Sequence, residues 1–529
     1  MRGRCLVLIA LTACGPVKGN PPDGDAPAND TAGFKVTVLS ASVAVPLDGK
    51  ATVDLAVTRT GDFAGEVSIV GVTPPTGLEI TDLVVPADAT TAQLVVGALT
   101  PLVIGDTIDF DLAATATDVD PQTTSITDAE ITGKPGSLDV SFGVGTGYAG
   151  IVFGNDDGGS FNSLDVLGGN IIATGEGQAA LSGPRFSTMR FTANGDKDPN
   201  FNAGARVVTV FNSGSTNETT LSGAIAHQLD GRPILIGTHD GKNPTRDLAV
   251  ARLSVAGGAG GVDFGNLGSA KSLFDVSSAE ETVNDGVVLP DDRVVFVGEV
   301  GGHHMIAIAK SDGSQLDTGF NTTGFIKDVL GNASTARRAI VDGDGKVVVL
   351  GTTQGAADVD LTLHRYTGTG LDTTFGLGGR LIVAAPGSDE GAINLVVLST
   401  GKVIVGSVSG TNFQIRKFNA DGSADTTFGT GGLVEAPATG TARDLIALPD
   451  GKLVILSQSG NDSVLTRFLA NGTIDPLFGT DGVVSVPCGD SATINKFRVY
   501  DAHKVVIAGG NEGGVPGPGT KGLIVRVWM

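Results

Sequence analysis

The side chains with the clearest chemical potential in this 529-residue sequence are carboxylates in glycine-rich turns. Asp156-Asp157 and Asp342-Gly343-Asp344-Gly345 offer oxygen atoms, the ligands that Ca²⁺ prefers. Both segments lack the remaining oxygen ligands of a loop site. We therefore expect ordinary turns, assign no cofactor, and keep weak Ca²⁺ binding as the alternative.

A histidine pair and a glycine-rich segment are two further motifs that could bind a metal ion or a phosphate. His303 and His304 are adjacent, and adjacent strand residues point to opposite faces, so we expect exposed loop histidines and no metal site. GVGTGYAG (143–150) contains a Gly-x-Gly-x-x-Gly, but that fingerprint needs a helix directly after it. Strand and turn residues follow instead, which argues against phosphate binding.

The sequence contains neither a Gly-x-Ser-x-Gly nor a His-Glu-x-x-His motif. We assign no catalytic residue and no metal ligand. Scattered histidines and acids could still converge in a central channel. A propeller enzyme, a hydrolase or lyase with a Ca²⁺-dependent site at that channel, therefore stays open as the alternative function.

Composition argues against some partners. The net charge of −22 would repel a nucleic-acid backbone. Sugar-binding sites use stacking aromatic rings, yet the chain has one Trp, Trp528, which we expect to be packed, and three Tyr. Cys488 has no partner cysteine nearby, and we expect it to be a small buried residue.

Seven phenylalanines recur every 50 to 63 residues, most of them in a short Asp-x-x-Phe-Gly/Asn phrase, and only the phrase GVDFG is degenerate. They are Phe142, Phe201, Phe264, Phe320, Phe375, Phe428 and Phe478. A repeat of this period indicates an array whose units cannot each bury a core alone.

Two further phrases keep step with the phenylalanines. One is a polar turn before an aliphatic run, as in DGKVVVLG, where Asp-Gly signals a hairpin because both turn positions favour φ > 0. The other ends a strand in a cation, at Arg190, Arg252, Lys310, Arg365, Lys417, Arg467 and Arg526. Each repeat is therefore predicted to hold about four strands, the size of a propeller blade.

The phrases are offset in phase. The array opens with DVSFG and closes with the basic strand of Arg526, so the N-terminal fragment is predicted to complete the last blade. Seven copies predict a seven-bladed β-propeller over residues 138–529, with six or eight blades as alternatives because of the weak phrase at Phe264.

GTGLDTTFGLGG and ADGSADTTFGTGG resemble the bacterial delta-60 repeat, which implies a propeller-like fold and supplies no catalytic residue. From the residues themselves we expect the repeated aspartates to accept backbone N–H bonds in turns. We expect the phenylalanines to fill the seams between blades. The aspartates are Asp139, Asp198, Asp317, Asp372, Asp425 and Asp475.

Residues 33–134 alternate apolar and polar in about seven short segments separated by turn residues, which predicts a two-sheet sandwich. RTGDFAGEVSIVGVTPPTGLEI resembles the bacterial immunoglobulin-like domains that serve as spacers or adhesive modules.

The N-terminus carries a further chemical signal. Residues 1–14 contain Arg2 and Arg4, a short apolar run and then Cys14, a pattern typical of an export signal. LTAC resembles the lipobox of bacterial lipoproteins, which implies that Cys14 is the site of lipid attachment. Residues 15–32, rich in Pro, Gly, Asp and Asn, are predicted to be a flexible linker.

Together these patterns predict an all-β chain, a seven-bladed β-propeller preceded by an immunoglobulin-like β-sandwich. We expect an exported lipoprotein of the outer membrane or cell surface, with the periplasmic face as the alternative. We expect it to be a monomer that contacts the membrane through its lipid and binds an unidentified protein or glycan. The predicted role is a binding or structural module.

Overall fold

The structure, a computed structural model, consists of β-strands and one 3-10 turn at Asn202–Gly204 in the residues that it describes. These are residues 32–40, 42–151, 159–179, 182–211, 219–240, 245–258, 261, 263–267, 270–355, 358–384, 389–511 and 522–529. The chain divides into two compact units. The first contains the residues up to Val43 with Thr52–Val96 and Thr107–Ala129, and the second contains Ala44–Ala51, Gly97–Asp106 and Glu130–Met529.

Nine strands precede the repeats, in sheets ordered β1-β3-β7-β5 and β2-β9-β8-β4-β6. They are β1 (Gly33–Val38), β2 (Ala44–Pro46), β3 (Gly49–Thr60), β4 (Val67–Val72), β5 (Leu78–Ile80), β6 (Leu83–Val85), β7 (Thr91–Ala98), β8 (Thr107–Ala116) and β9 (Val119–Thr132). The sequence prediction missed β9, because most of its residues are exposed or polar and its apolar alternation is weak. Two of the alternating segments, Phe34 to Val45 and Ile80 to Val85, each correspond to parts of two strands, β1 with β2 and β5 with β6.

After β10 (Tyr148–Ile151), the described repeat residues form seven sheets of four or five strands. The first sheet has β11 (Gly159–Leu167), β12 (Asn170–Ala179), β13 (Ser182–Phe191) and β14 (Val207–Thr209); the second has β15 (Thr219–His227), β16 (Pro233–Asp240), β17 (Asp247–Arg252) and β18 (Lys271–Phe274). The third has β19 (Glu281–Val288), β20 (Val294–Val300), β21 (His303–Ala309) and β22 (Phe325–Asp328); the fourth has β23 (Ala333–Val341), β24 (Val347–Gln354), β25 (Val359–Thr367), β26 (Gly370–Leu371) and β27 (Arg380–Val383).

The last three sheets follow the same plan of consecutive antiparallel strands. The fifth has β28 (Glu390–Val397), β29 (Val403–Ser409), β30 (Asn412–Phe418) and β31 (Leu433–Pro437); the sixth has β32 (Thr441–Ala447), β33 (Leu453–Ser459), β34 (Asp462–Phe468) and β35 (Val483–Pro487). The seventh has β36 (Thr493–Val499), β37 (Lys504–Gly510) and β38 (Gly522–Trp528), with β10 as its fourth strand.

The predicted pairing of the first repeat residues with the last strand is confirmed. β10 pairs antiparallel with β38, from Tyr148 opposite Val525 to Ile151 opposite Gly522. The last sheet also packs against the first, because Phe161 and Leu164 share a buried cluster with Val506 and Ile524. The closing strand therefore leaves no bare edge on β38.

Each first strand of the seven sheets carries a β-bulge at the same place, after Phe161, Ser222, Val283, Ala336, Ala392, Ala442 and Ile494. The residue opposite the bulge on the second strand is always small: Gly175, Gly237, Gly298, Gly351, Ser407, Ser457 or Gly509. A Cβ on Gly298 would lie 1.8 Å from the backbone oxygen of Thr282, so the bulge needs this close backbone approach.

The hairpin prediction needs one correction. In the turn before β24 only the glycine has positive φ, with Gly345 at +77°. The amide of Gly345 donates to the carbonyl of Asp342, and the amide of Asp342 donates to the carbonyl of Lys346. The loop is thus longer than a two-residue turn, and Asp344 does not adopt the left-handed conformation that we expected.

The seam prediction is confirmed for all seven phenylalanines, none of which is more than 1% exposed. Phe428, for example, shares a cluster with Ile404 and Phe413 of the fifth sheet and with Leu445 and Ile455 of the sixth. Each ring therefore fills the space between two consecutive sheets, where neither sheet alone could bury it.

The aspartates of the same phrase accept backbone bonds as predicted, each Oδ1 receiving the amide two residues later at 2.8–3.2 Å. The strand-ending cations bind the same aspartates, a contact that the repeat phrases alone did not predict. Arg190, Arg365, Arg467 and Arg526 donate Nε to Asp198, Asp372, Asp475 and Asp139 at 2.7–2.9 Å. Their guanidinium groups also cover Phe201, Phe375, Phe478 and Phe142.

Candidate functional site

The seven bulges surround a cavity of about 330 Å³ that is lined from all seven first strands. We call it the central cavity. Its lining residues are Asn162, Ser222, Gly223, Asn284, Arg338, Ala392, Ile393, Ala442, Arg443, Asn495 and Lys496. Its volume lies at the lower end of the range typical of small-molecule sites.

The lining of the central cavity is cationic although the whole chain is acidic. Arg338, Arg443 and Lys496 lie on three different sheets, and no carboxylate joins them in the lining. A second cavity of about 340 Å³ shares Arg338 and is lined also by Arg337 and Glu390. The net positive lining favours an anion in the central cavity.

Lys496 is the most unusual of these residues. Its side chain is 5% exposed, yet no hydrogen bond or ion pair to another residue in the described part of the chain engages its ammonium group. A buried charge without a partner is costly, so a ligand that supplies the partner would gain affinity here.

The surroundings of Lys496 disfavour the protonated form of its amine. Burial, with a smaller contribution from the neighbouring guanidinium of Arg338, lowers the pKa of Lys496 to about 8. The carboxylates of Asp285 and Asp444 oppose the decrease, whereas Arg498 adds to it. At neutral pH the amine is therefore still largely protonated, although it titrates within reach of physiological pH.

Arg338 and Arg443 each have a hydrogen-bond donor without an acceptor among the described residues. Arg338 donates Nη1 to the carbonyl of Arg337 at 3.0 Å, and Arg443 donates Nη2 to Gln458 at 2.9 Å. The buried Nε atom of each has no hydrogen-bond partner among the described residues. A bound carboxylate or phosphate oxygen could accept from such donors.

Bonds between neighbouring first strands hold the cavity wall in place. Asn284 donates to the carbonyl of Ala336 at 2.8 Å, and Asn495 donates to the carbonyl of Phe161 at 2.9 Å. Asp444 accepts the amide of Phe497 at 3.1 Å. These contacts cross from one sheet to the next, so the wall is built on a rigid, mutually braced ring of strands.

A second group of charged residues lies between the second and third sheets. Asp247, Asp275 and Glu281 bring one carboxylate oxygen each to within 4.8 Å of one another. Burial, with smaller contributions from the charges of Asp275 and Asp247, raises the pKa of Glu281 to about 7. We call these three residues the carboxylate cluster.

A third group contains the predicted loop histidines, and here the prediction of exposure is wrong. His303 and His304 open strand β21, and His304 is completely buried because β22 and β23 flank that end of the strand. His304 Nε2 lies 3.1 Å from the hydroxyl of Tyr366, and its ring lies 4.1 Å from that of His364. Burial lowers the pKa of both imidazoles.

The histidine group has the residue types of an acid–base site. His364 Nε2 lies 3.3 Å from Asp328, which also binds Arg380. However, none of these residues lines the central cavity or the second cavity described above. Because a substrate would have no access through them, the arrangement fits a buried structural network better than a catalytic one.

The remaining predicted residues divide by location. Cys14 and Asp156-Asp157 lie outside the described residues. Asp342 Oδ1 accepts the amides of Asp344 and Lys346, an ordinary turn. Residues 143–150 lead into strand β10 instead of a helix. No helix among the described residues is long and apolar enough to cross a membrane.

Cys488 and Trp528 are buried as expected, and burial raises the pKa of the Cys488 thiol. The central cavity could not be predicted from the sequence because its lining residues share no motif. One usable signal was present: the small residue that ends each aliphatic run lies opposite a bulge, and the bulged strand supplies the cavity lining.

Comparison with known proteins supports the architecture. Residues 169–201, 398–428 and 448–478 match a family described as "Domain of unknown function (DUF5122) beta-propeller". No curated protein sequence matches the chain.

Two solved structures are similar at low identity. Prolyl oligopeptidase B from Galerina marginata has a TM-score of 0.41 and 10% identity over 70% of this chain and 48% of that chain. The polysaccharide lyase Uly1 has a TM-score of 0.43 and 12% identity over 70% of this chain and 89% of that chain. This chain thus spans about half the length of the oligopeptidase. The consecutive four-stranded sheets and the family match together define a β-propeller protein.

Proposed function

We propose that this protein is a lipid-anchored envelope protein whose seven sheets are the blades of a propeller that binds a small anion in its central cavity. In this proposal the blades belong to the delta-60 repeat class, and residues 33–134 form an immunoglobulin-like spacer. Residues 15–32 tether both parts to lipid on Cys14.

The observation that carries the binding role is the lysine in the central cavity. Lys496 is buried without a described ion-pair partner, and it faces the same cavity as Arg338 and Arg443. A carboxylate or phosphate group would accept charge-assisted hydrogen bonds from all three, each contributing about 1.5–3 kcal/mol. The ligand class is therefore a small organic carboxylate or phosphate.

A binding role is favoured over the enzyme alternative by the chemistry of the lining. General acid–base catalysis needs a group that exchanges protons near neutral pH within reach of the substrate. The lining of the central cavity consists of guanidinium, amide and hydroxyl groups together with the amine of Lys496, which titrates near neutral pH. The histidines and Asp328 lie away from this cavity, and its lining contains no carboxylate or imidazole to pair with Lys496 in proton transfer.

Calorimetric titration of the full chain tests the binding role, with citrate and inorganic phosphate as probes and neutral glucose as the control ligand. We expect at least one anion to bind at pH 7 and Lys496→Met to weaken it about tenfold, which corresponds to about 1.4 kcal/mol. Lys35→Met, an exposed lysine of strand β1, is the matched control and should bind like the wild type. Absence of saturable binding by both anions would reject the proposal.

Binding should also weaken as pH rises. The pKa of Lys496 is about 8, and its charged surroundings are Arg338, Arg498, Asp285 and Asp444. Above that pH the neutral amine no longer attracts the anion. We expect affinity to decrease about tenfold between pH 7 and pH 9.5 in the wild type and much less in Lys496→Met. Equal pH profiles for the two proteins would contradict the assigned role of Lys496.

The anchor is tested separately by growing expressing cells with labelled palmitate. Each CH₂ group of an acyl chain that enters the membrane contributes about 0.8 kcal/mol of binding free energy, so stable attachment requires more than one chain. We expect label on the wild type and none on Cys14→Ala, whereas Cys488→Ala keeps it. Label on Cys14→Ala would contradict the proposed attachment site.

A further inference from the structure

The carboxylate cluster has a counterpart two sheets further along the chain. In the pairing registers, Ala249 lies opposite Gly237 and Thr362 lies opposite Gly351, which makes Asp247 and Asp360 equivalent. Glu281 and Glu390 each stand two residues before the bulge of the next first strand. The same Asp–Glu pair therefore occurs at two seams of the repeat.

At the counterpart seam a guanidinium neutralises the glutamate. Arg416 Nη2 lies 2.5 Å from Glu390 Oε1, and the amide of Leu361 donates to Glu390 Oε2 at 3.4 Å. Both oxygens of Glu390 thus have a described donor. The pair is buried, so each charge compensates the other where water does not.

Among the described residues, Glu281 of the carboxylate cluster has no guanidinium partner of this kind. The registers of β21 and β30 place Ala307 where Arg416 stands, because Gly298 pairs with Met305 and Ser407 pairs with Gln414. No described ion pair engages Glu281 or Asp275. Glu281 is fully buried, and its Oε2 has no hydrogen-bond partner among the described residues.

A third carboxylate also joins the cluster. Strand β18 ends opposite Leu248 and strand β27 ends opposite Leu361, so Asp275 corresponds to Ala384 of the counterpart seam. Asp275 is exposed and holds its position by accepting the amide of Ser277 at 3.1 Å. Relative to the counterpart seam, the carboxylate cluster therefore has alanine in place of the arginine that binds the glutamate, and aspartate in place of an alanine.

We propose that Asp247, Asp275 and Glu281 bind a Ca²⁺ ion that takes the place of the missing arginine. Carboxylate oxygens are the ligands that hard divalent cations prefer. Two oxygens bound to one Ca²⁺ at about 2.4 Å are at most about 4.8 Å apart. The three oxygens meet this limit, since all lie within 4.8 Å of one another.

The geometry also indicates how the ion reaches the site and completes its shell. Exposed Asp275 opens the cluster to solvent, whereas Glu281 forms the buried end. Glu281 Oε1 already accepts the hydroxyl of Ser277 at 3.2 Å, which leaves Oε2 for the ion. Water would supply the remaining ligands that Ca²⁺ takes.

Calorimetric titration of chelator-treated full-length protein with CaCl₂ tests this site. We expect saturable binding at the cluster and a rise in melting temperature with Ca²⁺ concentration. Glu281→Gln and Asp275→Asn should each weaken binding at least tenfold. Because Asp275 is exposed, Asp275→Asn should fold normally. Loss of Ca²⁺ binding in this variant therefore could not be attributed to a folding defect, as it could in Glu281→Gln.

Asp360→Asn, at the counterpart seam, is the matched control and should change Ca²⁺ affinity less than twofold. Lys496→Met should also bind Ca²⁺ like the wild type, so this result is independent of anion binding in the central cavity. The proposal is overturned if the wild type gives no saturable Ca²⁺ binding. It is equally overturned if Asp275→Asn and Glu281→Gln bind as tightly as the wild type.

Discussion

Two equivalent seams of the propeller solve the same electrostatic problem in different ways. Between the fourth and fifth sheets, Glu390 is buried against Arg416, whereas between the second and third sheets Glu281 is buried beside two further carboxylates. In a fold without repeats, a buried glutamate that lacks an ion pair cannot be compared with an equivalent residue. In this repeat fold Glu390 is the equivalent residue, and the comparison shows that Ala307 stands at the position of Arg416.

The largest expected effect concerns the apolar packing of a seam, which stabilises the fold without any charged group. Phe428 is 1% exposed between the fifth and sixth sheets, and Phe428→Ala should lower the free energy of unfolding by about 3–5 kcal/mol. Leu377→Ala, a fully solvated leucine, is the control and should change little. Thermal or denaturant melts measure both, and an unchanged midpoint for Phe428→Ala would contradict the seam packing.

The second-largest effect is expected when the arginine is removed from the seam between the fourth and fifth sheets. Arg416→Met leaves Glu390 buried without its cation, and we expect a loss of about 3 kcal/mol. The double variant with Glu390→Gln should recover part of that loss, because no bare charge remains. If Arg416→Met were harmless, the contrast between the two seams would lose its basis.

Neutralisation of the cluster should act in the opposite direction. In excess chelator at pH 8, Glu281→Gln removes a buried carboxylate that two neighbouring acids repel, and stability should rise by about 1–2 kcal/mol. Glu390→Gln is the matched comparison, and it should be destabilising because it strands Arg416. Denaturant melts measure both free energies of unfolding. A change of the same sign in the two variants would contradict the proposed difference between the two seams.

The smallest effect separates the histidine group from the two glutamate seams. Burial holds the pKa of His304 well below 6.5, beside His364, Asp328 and Arg380. The unfolded state therefore binds more protons as pH falls, and stability should decrease by about 1 kcal/mol between pH 6.5 and 5.5. Glu281, whose folded pKa is raised to about 7, contributes in the opposite sense over the same range.

That measurement is therefore made in the Glu281→Gln background, with and without His304→Phe. The variant that lacks His304 should show the flatter pH profile. Identical slopes would mean that His304 is already protonated in the folded protein, contrary to its burial.

Much of the fold could be predicted from the sequence because each repeat carries the same signals. The recurrence of phenylalanines such as Phe375 predicted the seams, and the phase offset predicted that β10 would pair with β38. Strand β9 was missed because its polar, exposed residues give no periodic apolar signal.

The functional residues were much less accessible to sequence reasoning. Lys496 and Glu281 belong to no recurring phrase, and their neighbours in space come from other sheets. The interpretation of Glu281 depends on a partner that is absent at an equivalent position, which only the pairing registers reveal. His304 was misplaced for a related reason, since its burial comes from strands distant in sequence.

The most direct measurement of the central claim is anomalous diffraction from crystals of the full chain grown with Mn²⁺ as a substitute for Ca²⁺. A peak at coordination distance from the carboxylates of Glu281 and Asp275, with none beside Glu390, is the predicted result. A map without a peak at Glu281, or with an equal peak at Glu390, would contradict the claim that a cation replaces the missing arginine.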